Sequence, residues 1–257
     1  MVNKIDIAKL GSVQTLDVRH SRKEVYDNYF RTCTVLQESI LDEQPPYSDI
    51  GDTSPYRIAK LYGGDWYKWN RQFVVQVADC PFKCWYCYVD NLKPGLWLTP
   101  QELISSYKMF RSKVPNLNVF HFMGGCPGRY SYLWKEIRNE MDKQGLEDCV
   151  FLTDVILVEE LFYQQKPWND IPHMSIVQVC LKGTNFENFK LNTGLDLFHE
   201  AISEVRHYIR KPQVYFAIIE QSLAGVAFAN ELFGYENVDR LHVKRYEVVK
   251  RRRKQHE

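Results

Sequence analysis

"FVVQVADCPFKCWYCYVDN" (residues 73–91) places a short apolar run directly ahead of three cysteines packed into eight positions. The run from Phe73 to Ala78 is short, β-branched and, apart from Gln76, apolar, the pattern of a strand buried on both faces. Cys80, Cys84 and Cys87 then follow in a loop with aromatic residues between them. In α/β folds the working groups collect in loops at the carboxyl ends of strands. The architecture around this stretch therefore decides what three thiols can do there.

Downstream, strand and helix patterns alternate. Thr99 and Pro100 open "TPQELISSYKMFRSK", with Thr99 as N-cap and Pro100 at the first helical position. "LNVFHFM" (117–123) predicts a second strand, ended by "GGCPG" (124–128), and "YLWKEIRNEMDKQG" a helix stopped by Gly145. "CVFLTDVIL", "MSIVQVCLKG" (174–183), "QVYFAII" (213–219) and "DRLHVKRYEVV" (239–249) predict four more strands. Helices are expected in "GLDLFHEAISEVRHYIRK" and "SLAGVAFANELFG" between them. Six such units imply an α/β fold, a parallel sheet with right-handed crossovers, either an incomplete barrel or an open doubly wound sheet. Before residue 71 the chain is polar and turn-rich, with "DEQPPYSDIGDTSPY" (42–56) as irregular connection. The aromatic stretch "LYGGDWYKWN" (61–70) is expected to pack on the main domain. The expected division is an N-terminal extension over 1–70, a core over 71–250 and a basic tail over 251–257.

The 257 residues are 45% hydrophobic and 25% charged, which suits a globular chain large enough to bury a full core. No apolar run reaches membrane-spanning length, and "MVNKIDIAKLGSVQ" has no secretory h-region, so a cytoplasmic location is expected. A net charge of +1 argues against wrapping nucleic acid by electrostatics alone. The basic tail "KRYEVVKRRRKQHE" is read as a solvated end, with an RNA contact left open. Seven cysteines, an odd number without an export signal, argue against a disulfide framework. Cys33, Cys126, Cys149 and Cys180 are scattered and default to small buried residues.

The clustered three need a chemical reason. Structural zinc takes four ligands, usually in two separated pairs. Here the spacing is C-x3-C-x2-C with no second pair, so zinc would need His121 or Cys126 to complete it. A fully ligated [4Fe–4S] cluster needs four thiolates. Three ligands leave one iron open to something else.

"CPFKCWYC" (80–87) resembles the C-x3-C-x-(aromatic)-C signature of the radical S-adenosylmethionine (radical SAM) superfamily, with Tyr86 as the aromatic residue. The resemblance implies a [4Fe–4S] cluster on Cys80, Cys84 and Cys87, its fourth iron chelated by the amino and carboxylate groups of S-adenosylmethionine. It implies a partial (β/α)6 TIM-like barrel over roughly residues 71–250. It also implies an electron from flavodoxin or ferredoxin, reductive cleavage of the cofactor, and hydrogen abstraction by a 5′-deoxyadenosyl radical. Gly124, Gly125 and Pro127 in "FMGGCPG" are similar to the family's Gly-Gly-Glu-Pro loop, whose backbone meets the methionyl amino group. Cys126 stands in place of the acidic residue. Either that loop works through its backbone, or Cys126 donates a hydrogen atom or ligates a second cluster, for which no further cysteine group is present. Lys182 resembles the Asp-x-Lys position of glycyl-radical activases, with Cys180 where they have aspartate. It would pair with the cofactor carboxylate or an anionic substrate, or simply reach solvent.

Thr153, Asp154 and Glu220, polar groups near later strand ends, would bond ribose hydroxyls or serve as caps and turns. Tyr86 would contact adenine. His121 is read as a satisfied core histidine. The expected substrate is a small molecule or a peptide, in a compact member lacking an auxiliary-cluster extension. RNA modification, glycyl-radical activation, or a non-catalytic iron–sulfur or zinc module are the alternatives.

Overall fold

The computed structural model describes residues 3–8, 21–26, 29–35, 54–85, 87, 95–220, 227–228, 231–232 and 241–245. In chain order the elements are β1 (Ile5–Ile7), β2 (Ser21–Tyr26), β3 (Phe30–Val35), α1 (Ser54–Tyr62), β4 (Arg71–Gln76) and β5 (Leu96–Leu98). They continue with α2 (Pro100–Arg111), β6 (Leu117–Met123), α3 (Ser131–Lys143), β7 (Val150–Ile156), α4 (Glu159–Tyr163) and β8 (Ser175–Leu181). The last are α5 (Phe186–Thr193), α6 (Phe198–Tyr208), β9 (Val214–Glu220) and β10 (Leu241–Arg245). The expected helix over 222–234 lies mostly outside the described residues, as do the ends of the sixth strand and the basic tail.

Among the described residues one eight-stranded sheet runs in the order β10-β9-β8-β7-β6-β4-β3-β2. From β4 to β10 every neighbouring pair is parallel. Those six strands therefore lie side by side in sequence order. Right-handed crossovers between consecutive neighbours put the connecting helices on one face. The N-terminal segment is part of the same sheet, because β3 pairs antiparallel with β4 and β2 with β3. β1 instead pairs with β5 and touches the end of β4 through an Ile7–Val77 bridge.

Strand alternation separates two cores. On the helix side Phe73, Phe120 and Phe151 stand in register on adjacent strands, their rings stacked at 5.9 and 5.8 Å. Tyr107 of α2 and Trp134 of α3 close over them. Each such aromatic contributes roughly 1.5–3 kcal/mol by leaving water. Val119, Val150, Leu152, Ile176 and Tyr215 face the other way and are covered by Ile58 of α1 and Trp69. Thr99 caps α2 with a full capping box, receiving the Glu102 N–H while Glu102 accepts from the Thr99 N–H. α3 ends just before Gly145, which takes the left-handed conformation at φ 76°. Cys33, Cys126, Cys149 and Cys180 are buried. No described helix is long and apolar enough to cross a membrane.

Candidate functional site

The carboxyl ends of β4, β6, β7 and β8 carry four loops that meet. Cys80 follows β4 after Asp79, a non-glycine residue at φ 69°. The turn at Asp79 is fixed from the β6 loop. Its carbonyl accepts the Cys126 N–H (3.1 Å), and its carboxylate is paired with Arg129. Gly124 and Gly125 both take left-handed conformations, at φ 70° and 51°. A Cβ on Gly125 would run into the Val77 carbonyl oxygen and lie 2.8 Å from that of Asp79, so only glycine allows this approach. Pro127 opens a short 3-10 turn leading into α3.

On its other side the cysteine loop is held by α5. The Lys83 N–H donates to the Thr193 carbonyl (2.8 Å), and Trp85 Nε1 donates to Asn192 Oδ1 (3.0 Å). Asn192, fully buried, donates in turn to the Lys182 carbonyl (2.6 Å). One amide thus ties the loop after β4 to the end of β8. The N-terminal strand adds a third wall. The Ala78 N–H donates to the Asp6 carbonyl (2.9 Å), and the Asp6 N–H to the Tyr130 hydroxyl (3.2 Å).

The Cys126 thiol, wholly buried, donates to Cys80 Sγ at 3.4 Å. That hydrogen bond, with the Phe82 backbone and the charge of Lys182, holds the Cys80 thiol below its ordinary value against the effect of burial. Burial pushes Cys126 well above the ordinary thiol value, and its neighbours Cys80 and Glu159 reinforce the rise. Cys80 and Cys84 are half-buried and Cys87 is exposed. The Cys87 N–H closes a turn onto the Cys84 carbonyl (2.9 Å). Among the described residues no three His, Cys, Asp or Glu side chains converge closely enough to hold a metal ion. The donor chemistry nonetheless fits a thiolate-bound group. The loop offers three cysteines, one of them biased toward thiolate, and the nearby carboxylate of Asp79 is engaged by Arg129.

Below these loops, polar side chains form a chain across the inner face of five strands. Gln72 Nε2 donates to Ser54 Oγ (2.7 Å), and Gln72 Oε1 lies 2.8 Å from His121 Nδ1. His121 Nε2 lies 3.5 Å from Asp154 Oδ1, which accepts from Gln178 Nε2 (3.2 Å). Gln178 Oε1 accepts from the Tyr215 hydroxyl (3.0 Å). His121, with partners at both ring nitrogens, is a satisfied core residue as expected. Asp154 lies on this face. Thr153, one position earlier and fully buried, lies on the helix face, away from Asp154.

Lys182 follows β8 within electrostatic reach of Cys80. Glu220 closes β9 in register with Arg245 of β10. Tyr86 lies outside the described residues. Sequence reading missed Asp6, Asp79, Arg129 and Asn192. None belongs to a motif, and only the topology brings them together. It also missed Glu159, fully buried beneath the β6 loop. Glu159 Oε1 accepts the Ile156 N–H (2.6 Å), and Gly128 is pressed so closely on Oε2 that a Cβ there would collide.

No protein-family model matches the chain. No curated protein matches it either. Among solved structures, Streptococcus suis SuiB bound to S-adenosylmethionine is similar, at 14% identity and a TM-score of 0.46. The similarity spans 65% of this chain and 37% of that one.

Proposed function

We propose that the chain is a radical SAM enzyme built on a partial (β/α)6 barrel. In this reading Cys80, Cys84 and Cys87 hold a [4Fe–4S] cluster and S-adenosylmethionine takes the open iron. The observation that carries the reading is the placement of the C-x3-C-x2-C loop. It leaves the first of six parallel strands laid out in sequence order, and it is seated on the Gly-Gly loop of the second. When bound, such a cluster supplies one-electron reductive cleavage of the sulfonium carbon–sulfur bond, giving methionine and a 5′-deoxyadenosyl radical.

The chain's own residues bind and orient. Gly124 and Gly125, without side chains, expose backbone to the cofactor's amino group. The Lys182 ammonium pairs with its carboxylate. Asp154 serves hydroxyl groups, and Tyr86 meets adenine. Thr153 and Glu220 are left out of this set, because strand alternation puts Thr153 with Phe151 and Val155, and Glu220 with Phe216 and Ile218, on the helix face. The substrate is a small molecule or peptide, and flavodoxin or ferredoxin supplies the electron.

One observation favours a second reading. Two thiolates on one tetrahedral zinc stand about 3.8 Å apart, given bonds of ~2.3 Å. The Cys80–Cys126 separation of 3.4 Å is close to that. A zinc site on Cys80, Cys84, Cys87 and Cys126 is the rival.

Anaerobic reconstitution with iron and sulfide, followed by metal analysis, dithionite reduction and chromatography, separates the two. The enzyme reading expects about four irons per chain and 5′-deoxyadenosine from S-adenosylmethionine, both lost in Cys84→Ala. Preferential retention of zinc, with no cleavage product, contradicts it.

A further inference from the structure

We infer that Cys126 sets the reduction potential of the cluster by donating a hydrogen bond to the sulfur of Cys80. The inference rests on the cluster reading above. Cys126 Sγ is 3.4 Å from Cys80 Sγ with the thiol as donor. Cys126 is wholly buried in the loop after β6, whereas Cys80 keeps some exposure, so the donor approaches from the protein side. The loop leaves little freedom to turn away, because the Cys126 N–H is anchored on the Asp79 carbonyl and Gly125 is wedged against Val77 and Asp79. Thiolates on different irons of one cube stand farther apart than thiolates on one metal. A sulfur this close to Cys80 is therefore placed as a donor to that ligand, not as a ligand to another iron.

Hydrogen bonds to ligand sulfurs tune cluster potentials. A donor withdraws charge from the thiolate and favours the more negative, reduced cluster. Cys126 is in this account a positioning residue that acts through Cys80.

The test is a dye-mediated redox titration of reconstituted wild type, Cys126→Ala and Cys126→Ser, followed by electron paramagnetic resonance, with iron counted in each. Cys126→Ala is expected to keep its iron and shift to lower potential by a tenfold change in the reduction equilibrium, ~59 mV for one electron. Cys126→Ser, whose hydroxyl still donates, is expected to stay near wild type. An unchanged potential in Cys126→Ala at full iron content overturns the inference while leaving the enzyme reading intact. Loss of metal from both variants makes Cys126 a ligand and overturns it too. Wild type that assembles no cluster removes the reading on which the inference rests.

Discussion

Gly125 and Asn192 show how much of the site depends on single residues with no chemistry of their own. A side chain on Gly125 meets two backbone carbonyls at a positive φ. Gly125→Ala should therefore cost about 1–3 kcal/mol and separate the β6 loop from the cysteine loop. The expected result is a lowered melting temperature together with poor iron retention. Asn192→Ala removes the acceptor of the Trp85 indole and a donor to the Lys182 carbonyl, at roughly 1–3 kcal/mol. Its cysteine loop should exchange amide hydrogens faster and lose iron sooner to a chelator. Retention equal to wild type would show that α5 does not hold the loop. The cysteines and the glycine pair were legible because spacing and composition mark them. Asn192, Asp6 and the Gln72–Gln178–Tyr215 chain were not, because a lone polar residue carries no local signal of its partner.

At the scale of elements, the turn between β7 and α4 is held in a strained conformation. Val158 sits at φ 75°, a left-handed conformation that a β-branched residue adopts only under constraint. The constraint is Glu204 of α6, whose Oε2 accepts the Val158 N–H at 2.5 Å. Burial pushes the Glu204 carboxyl up to about 7, opposed by that N–H and reinforced by Glu160. Glu159 beside it is raised well above the ordinary value, also by burial, and Tyr208 faces both.

A carboxyl raised in the folded state contributes stability fully below its unfolded value and loses it as pH rises through the folded one. The melting temperature should thus fall between about pH 5 and pH 8. Glu204→Gln, which keeps an acceptor for Val158, should flatten part of that slope. A wild-type melting temperature that is flat over this range contradicts the assignment. Strand runs such as 117–123 were readable because both faces are largely buried, which leaves them mostly apolar, with Asn118 and His121 the exceptions. β1, β2, β3 and β5 were missed, since β2 and β3 are rich in polar residues and β1 and β5 span three positions each. α1 was missed because its first turn, Ser54–Tyr56, was read as the end of the irregular connection. α4 and α5, five and eight residues long, are too short for a clear helical period.

Across the whole molecule, the consecutive order of six parallel strands is what gathers Cys80, Gly125, Lys182 and Asn192 at one end of the sheet. The alternation of strand and helix patterns implied a parallel sheet but left open an incomplete barrel or a doubly wound order, and the structure shows the consecutive one. The role of the N-terminus did not follow from it. Residues 5–7 wall the site, while β2 and β3 extend the sheet, through pairings with partners distant in sequence.

The central claim is a cluster held by three thiolates with an open iron. It is tested most directly by the electron paramagnetic resonance spectrum of reconstituted, dithionite-reduced protein, with and without S-adenosylmethionine. The account predicts a reduced-cluster signal that changes shape when S-adenosylmethionine is added and is absent in Cys84→Ala. A signal indifferent to S-adenosylmethionine, or a silent protein that holds zinc, would contradict it.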